Sequence, residues 1–516
     1  MDNLNSFQIN KKNDAFENIL QVKNITEQYV GNKFLSLLIE NYSKLFDCPK
    51  NVLSHKAKQI LAAKFNYKIG RFSINYSYFS VILDFFAINT LLILLKIFKK
   101  KIKPEKYDII LDDVEHINQL FLFKKLLSKF KKSIVFSKRV FFNNNKEIKK
   151  FKIKFSHFFL LDKESLNIDL ISFIKINLNI LKQSHNNKIN LFIIFKPVLY
   201  SLLKYNYFFK KYNAKFLIHD RFYRTCPIRN YIFKKNGGKK ICLTQIHLCA
   251  NNLSLFVDID QLFSFGDETF SKQKFIKLGG KVNETFPIGS IKMESLFHEE
   301  NSKNLIEKFD IVFIGINLHN WINESDETNK NFYRVIEWLK KISIKYPEYK
   351  ILIKHHASWW GDSKEKQIIK NSNIKTFLKE NHPTKIEHLI NNHFFSKFKI
   401  FLKNIYIGDN SLKYKENESY YFLNQSKINL SFGSTMIIEA VGNNKSSYFV
   451  DPDLKNSSHF SELAHLDPLR ISSFNMLENI IKTKIENSSV DKNLNKKAIC
   501  LESNNTSDRI YNYLTN

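Results

Sequence analysis

The sequence has no CxxC pair. Its five cysteines, Cys48, Cys226, Cys242, Cys249 and Cys500, are odd in number and scattered over 516 residues. That spacing excludes a zinc finger and a dithiol redox motif and reads as reduced, mostly buried cytosolic thiols. The N-terminal stretch MDNLNSFQINKKNDAF lacks the apolar core of a signal peptide, so the catalytic part is expected to stay in the cytoplasm. There is no helix-turn-helix, no RNA-binding aromatic motif, no internal repeat and no long low-complexity tract, which sets aside the common nucleic-acid readers and the solenoids. Acidic residues are few: 49 Asp and Glu face 80 Lys and Arg, for a formal net charge of +31. Such an excess suits a polyanion, an anionic membrane surface or acidic substrates. Here it is spread as Lys among many Ile, Asn and Phe rather than gathered in one block, so no nucleic-acid partner is expected.

What is present is a folded chain long enough for two or three domains, with 44% hydrophobic residues. Residues 1–103 read as a helical region. Within it, residues 79–98, FSVILDFFAINTLLILLKIF, have the length of a membrane span and are followed by Lys99, Lys100, Lys101 and Lys103. Asp84 and Asn89 oppose a span, because a charge at a helix centre costs about 2.5 to 3.5 kcal/mol. The expectation is a buried or interface-lying helix that can bring the protein to the inner face of the cytoplasmic membrane as a peripheral protein.

From Pro104 the pattern changes to alternating strands and helices. Tyr107 to Leu111, Ser133 to Phe136, Phe158 to Leu161, Lys215 to His219 and Lys240 to Leu243 read as strands of a first unit, residues 104–288. Asp310 to Ile314, Tyr349 to Ile353, Ile405 to Ile407, Lys427 to Leu430 and Ser447 to Val450 read as strands of a second unit, residues 289–475, with an amphipathic helix over Phe332 to Ile344. A polar helical tail, residues 476–516, follows. The expected fold class is α/β, with two Rossmann-like doubly wound units in tandem behind an N-terminal helical region. A ligand would lie at the carboxyl ends of the strands, in the cleft between the units.

Three strand-end motifs carry the chemistry. Phe432-Gly433-Ser434-Thr435 is a turn entering a short helix, Met436 to Val441, that carries Glu439. Such a turn offers N–H groups and hydroxyls to a phosphate, although Ser and Thr are also ordinary helix caps. Lys354-His355-His356-Ala357 ends a strand, and Gly289-Ser290 is a small turn between the units. A Lys-His pair and a hydroxyl-bearing turn can together stabilise a departing phosphate without a metal.

On these residues the chain resembles bacterial surface-polysaccharide transferases of GT-B architecture, a superfamily of capsule glycosyltransferases, polysialyltransferases and CDP-glycerol glycerophosphotransferases. Lys354 and His356 match the Lys-x-His-Pro motif, with Ala357 in place of proline; Ser434, Thr435 and Glu439 match the Ser-Ser or Ser-Thr turn and its glutamate-bearing helix. The resemblance spans roughly residues 215–453. It implies that His356 contacts the donor phosphate, that Lys354 supports it, that Gly433, Ser434 and Thr435 hold it, that Glu439 orients the donor ribose or sugar, and that Gly289 and Ser290, at the turn joining the halves, also bind the donor. It implies a nucleotide-sugar donor, a glycan or lipid-linked acceptor, and no cofactor or metal.

The general base belongs on the first unit. His247, in Gln245-Ile246-His247, and Asp220 rank together, with Asp112 and Asp113 behind them. Arg221 and Arg224 could bind an acidic acceptor, and Trp359-Trp360 could stack on a base or sugar. Asp258-Ile259-Asp260 and Asp451-Pro452-Asp453 are short acidic pairs of the kind that arise by chance, and neither is taken as a metal site. Besides sugar transfer to a surface polysaccharide, the sequence leaves open glycerophosphate transfer from CDP-glycerol, sugar-nucleotide epimerisation, and non-enzymatic binding to a membrane surface or nucleic acid.

Overall fold

The computed structural model describes residues 15–66, 71–74, 76–97, 102–115, 117–138, 140–142, 151–155, 168–219, 225–244, 252–268, 272–297, 308–315, 326–354, 363–377, 405–407, 420–454, 464–486 and 496–516. Among these, two parallel sheets organise the chain. The first has seven strands: β1 (Glu105–Val114), β2 (Ser133–Ser137), β3 (Lys152–Phe155), β4 (Tyr212–His219), β5 (Lys240–Thr244), β6 (Asp258–Ser264) and β7 (Lys281–Pro287), in the spatial order 3-2-1-4-5-6-7. The second has six: β8 (Ile311–Ile314), β9 (Ile351–Lys354), β10 (Lys375–Phe377), β11 (Ile428–Ser431), β12 (Ser446–Val450) and β13 (Arg470–Ile471), in the order 10-9-8-11-12-13. Each order begins from a middle strand, runs to one edge, returns and runs to the other. That is the doubly wound arrangement, and it leaves a crevice where the winding reverses, between β1 and β4 and between β8 and β11.

The central strands are short apolar runs because both faces are covered. Ile311, Val312 and Phe313 of β8 are each fully buried. The covering helices show the matching 3.6-residue rhythm: α10, defined below as Asp326–Lys345, buries Phe332, Val335, Ile336, Leu339 and Ile342 against the second sheet.

In chain order the helices used here are α1 (Ala15–Gly31), α2 (Lys33–Phe46), α3 (Lys50–Ala62), α4 (Tyr78–Ile97), α5 (Ile117–Ser128), α6 (Leu170–Asn186), α7 (Phe192–Lys211), α8 (Pro227–Lys235), α9 (Ile291–Phe297), α10 (Asp326–Lys345), α11 (Met436–Gly442), α12 (Phe474–Glu486), α13 (Lys496–Ile499) and α14 (Thr506–Thr515). The N-terminal helices share one apolar core with the first sheet: Leu38, Tyr42, Leu61, Phe195, Phe209 and Leu217 belong to a single cluster. The end of the chain crosses back from the second sheet to the first. Ile510 and Leu514 of α14 pack in one cluster with Ile109 and Leu111 of β1 and Phe123 of α5.

Several strand readings differ from the sequence expectation. Phe158 to Leu161 lies outside the described residues, and the third strand of the first sheet is Lys152–Phe155. Ile405–Ile407 pairs in parallel with Val140–Phe142 and takes no part in the second sheet. The strands β6, β7, β10 and β13 are not among the expected ones. β7, with the sequence KVNETFP, is an edge strand paired on one side only, to β6, so its polar residues need no burial and it lacks the apolar signature of a central strand.

Candidate functional site

The crevice of the second sheet is built on one row of its ladder. Ile314, the last residue of β8, pairs with Lys354 on one side and with Ser431 on the other. Neighbouring strands lie about 4.8 Å apart, so the ends of β9 and β11 flank β8 roughly 10 Å from each other. Gly315 follows Ile314 and donates its N–H to the Lys354 carbonyl at 2.8 Å. The row therefore presents a lysine, a glycine without a side chain, and the hydroxyl turn, side by side at the carboxyl edge. Lys354 is buried, with its backbone fixed in the sheet.

Ser431 organises the turn. Its Oγ donates to the Ile314 carbonyl at 2.8 Å and accepts the N–H groups of Gly433 at 3.2 Å and Ser434 at 3.0 Å. The Ser434 hydroxyl in turn accepts the Met436 N–H at 3.3 Å. Three N–H groups that the sequence reading offered to a phosphate are thus held by the turn's own serines, which fixes its shape. Thr435 stands at the N-cap of α11 and makes no side-chain capping bond. Sequence reasoning missed Ser431; its signal was a serine closing an otherwise apolar strand immediately before a Gly-Ser-Thr turn.

Glu439 sits one turn inside α11 and is 1% exposed. Its Oε2 accepts the Ser290 hydroxyl at 2.9 Å. Burial pushes its carboxyl above the usual carboxylate range, against the opposing pull of Lys292 and of hydrogen bonds from Tyr420 and Ser290. Ser290 does more: its Oγ accepts the Met293 N–H at 3.2 Å at the start of α9, and its N–H donates to Ser503 Oγ at 3.0 Å. Asn443, at the end of α11, donates to the Glu439 carbonyl at 2.7 Å and to Ser503 Oγ at 3.1 Å, and accepts the Ser503 N–H at 3.2 Å. Gly289 has φ +83°, and a Cβ there would stand 2.6 Å from the Leu501 carbonyl oxygen. Gly289, Ser290 and Glu439 thus form a buried seam between the two sheets and the returning tail. The Glu439 carboxylate faces that seam.

The crevice of the first sheet carries a buried charge cluster. Arg229 of α8 is fully buried and donates from Nη1 to Asp112 Oδ2 at 2.6 Å. Its Nη2 lies 2.9 Å from His219 Nε2. Arginine only donates, so Nε2 must accept, and the His219 proton sits on Nδ1. Asp112 lies near the carboxyl end of β1 and His219 ends β4, the two strands between which the winding reverses. Next to Asp112, Asp113 adopts φ +67° and pairs with Lys138 at 3.1 Å. Lys204 of α7 is also buried, its Nζ 4.9 Å from the Tyr205 ring centre, and burial pushes its ammonium below the usual lysine range. Asp112 Oδ1 has no hydrogen-bond partner. Arg229 and His219 carried no motif in the sequence; only the fold reveals them as partners of Asp112.

Among the base candidates, Asp112 and Asp113 are thus tied to Arg229 and Lys138, while Asp220 and His247 lie outside the described residues, as do Arg221, Arg224, Gln245, His355, His356, Trp359 and Trp360. Asp258 and Asp260 begin β6, at the amino edge away from the crevice, where Asp260 pairs with Lys234 at 2.6 Å. Asp451 pairs with Arg470 at 2.6 Å, and Asp453 pairs with Arg334.

No protein-family model and no curated protein sequence matches the chain. Solved structures that align with it include the S. aureus MnaA–UDP complex, at 12% identity over 80% of this chain and 96% of that one, with a TM-score of 0.38. A second is UDP-GlcNAc 2-epimerase from Neisseria meningitidis bound to UDP-GlcNAc, at 13% identity over 79% of this chain and 99% of that one, with a TM-score of 0.37. A third is the wall teichoic acid polymerase TagF with CDPG, at 10% identity over 85% of this chain and 96% of that one, with a TM-score of 0.38.

Proposed function

We propose that the chain is a glycosyltransferase that moves a sugar from a nucleotide-activated donor to a cell-surface polysaccharide acceptor. The observation that carries this reading is the single ladder row in which Lys354 and Ser431 flank Ile314 and Gly315 at the crevice of the second sheet. A phosphate lying over Gly315 would meet the Lys354 ammonium on one side and the Thr435 hydroxyl on the other. The glycine leaves room for close approach.

In the reaction, an acceptor hydroxyl oxygen bonds to the anomeric carbon while the bond from that carbon to the donor phosphate breaks. The leaving nucleotide takes the electron pair, and its growing charge is stabilised by Lys354, Thr435 and His356. The acceptor proton passes to a base on the first unit, for which Asp220, following β4, and His247, following β5, are the candidates. The buried cluster of Asp112, Arg229 and His219 holds the carboxyl ends of β1 and β4, and Asp220 follows β4 directly. Glu439 acts from beneath: through Ser290 it fixes α11, and hence the Ser-Thr turn, against the first unit.

The test is a transfer assay with the purified protein, a panel of nucleotide sugars and a polysaccharide acceptor. Wild type is expected to release nucleotide in step with acceptor extension, and His356→Ala and Glu439→Ala are expected to lose that turnover, His356→Ala while keeping the wild-type melting transition. Transfer of glycerol phosphate, or release of an altered free sugar without an acceptor, would replace this reading, and wild-type turnover in both variants would remove the site.

A further inference from the structure

Helix α4 is turned inside out. A helix on a soluble protein normally buries its apolar stripe and shows its polar one. Here Asn89 is buried and Asp84 half-buried, and both are paired on the inward side, while Thr90 is exposed. Asp84 accepts from Lys196 at 2.7 Å and from Asn190 at 3.1 Å, and Asn89 accepts from Asn177, which itself bonds Tyr42 at 2.9 Å. Facing outward instead are Phe79, Leu83, Phe86, Ile93 and Leu94, with Phe79 69% and Phe86 61% exposed. Their spacing follows one side of the helix, so with exposed Ala87 and Thr90 between them they form a mostly apolar stripe about 22 Å long.

The neighbouring helix continues the pattern. α6, joined to α4 through the Asn89–Asn177 bond, exposes Ile171, Lys175, Leu178 and Lys182, one side of the helix with apolar and cationic residues alternating. Ile171 is 66% exposed. In the sequence Lys99, Lys100, Lys101 and Lys103 follow α4 directly, and the chain carries a net charge of +31. Exposed phenylalanines beside lysines fit one occupant well: the apolar side chains enter the acyl boundary of a bilayer while the ammonium groups meet anionic headgroups.

We propose that the outward faces of α4 and α6 dock the protein on an anionic lipid bilayer, with α4 lying in the interface. By length and composition α4 could cross a membrane. The Asp84 pairs to Lys196 and Asn190 hold it to α7 and to the turn just before it, so spanning would require a charge to leave its partners inside hydrocarbon. This inference stands apart from the transferase reading, since the surface is on the N-terminal helices and needs no nucleotide.

The experiment is co-sedimentation of the full chain with vesicles of phosphatidylcholine alone and with added phosphatidylglycerol. Wild type is expected to bind the anionic vesicles, less so as salt rises. The pair Phe79→Ser and Phe86→Ser should reduce binding about tenfold or more, and the pair Lys175→Glu and Lys182→Glu should reduce it on anionic vesicles only. Both pairs are at the surface, so the urea midpoint should stay at the wild-type value and show that folding is intact. Equal binding by wild type and the serine variant would overturn the proposal. So would a dimer that the serine variant dissociates without any wild-type vesicle binding, which would identify a second copy as the occupant. Retention of the protein in membranes at alkaline pH would show a span and overturn the interfacial geometry.

Discussion

The Ser290 hydroxyl donates to Glu439 Oε2 across 2.9 Å of buried interface, 149 residues apart in the chain. One partner follows β7, the edge strand of the first sheet, and the other sits in the helix that follows the Ser-Thr turn. The bond therefore ties the placement of a candidate donor turn to the junction between the two sheets, and Ser503 of the returning tail closes the same network.

Replacing Ser290 with alanine leaves the Glu439 carboxylate buried with one partner fewer. A hydrogen bond to a charged group contributes about 1.5 to 3 kcal/mol, and stability to urea should fall by roughly that amount. Ser290→Thr, which keeps the hydroxyl, should recover most of it if the seam accommodates one methyl. An unchanged urea midpoint in Ser290→Ala would show that the bond contributes nothing.

Removing Arg229 strands the buried Asp112. The expected cost for Arg229→Met is about 3 to 5 kcal/mol, because an unpaired charge is left in the core. The double change Arg229→Met with Asp112→Leu should be less destabilised than Arg229→Met alone, since no charge remains to be compensated. A double variant as unstable as the sum of its parts would mean that Asp112 and Arg229 do not act as a pair.

His55 supplies a pH dependence. It is buried, and burial, followed by the field of Lys281, pushes its imidazole from the ordinary 6.5 to about 4. A base with a depressed folded-state value contributes stability that is present above pH 6.5 and lost as pH falls toward 4, because protons bind the unfolded chain first. The span corresponds to about 3 kcal/mol, and His55→Gln should flatten the urea-stability profile across this window by a similar amount. Parallel profiles for variant and wild type would contradict it.

Ser431→Ala removes three hydrogen bonds from the turn at once. Nucleotide affinity should drop about tenfold as Thr435 loses its fixed position, and Ser431→Thr should restore it partly. Nucleotide affinity in Ser431→Ala equal to wild type would separate the turn from the binding site.

The two-sheet architecture was legible because the central strands, such as DIVFI and KICL, are buried on both faces and so read as plain apolar runs. The Gly433-Ser434-Thr435 turn and the seam residues Ser290 and Glu439 were legible as motifs. Their assignment to a seam was not, since nothing local to Glu439 records that Ser290 approaches it. Arg229 was invisible for the same reason: its partners Asp112 and His219 come together only when β1 and β4 become neighbours. Edge strand β7 escaped because exposure frees it from the apolar pattern on which strand reading depends. Helix α4 was legible as an apolar helix of spanning length, while its orientation depended on where Lys196 and Asn190 pack.

The most direct test of the account is titration calorimetry of UDP, CDP, GDP and CMP into the wild-type protein and into Lys354→Ala. The account predicts that one of these nucleotides binds wild type and that the variant, with an unchanged melting transition, binds it at least about tenfold more weakly, as expected for loss of a charge-assisted contact. Equal affinity in the two proteins, or no binding of any nucleotide to wild type, would contradict a donor site at the carboxyl edge of the second sheet.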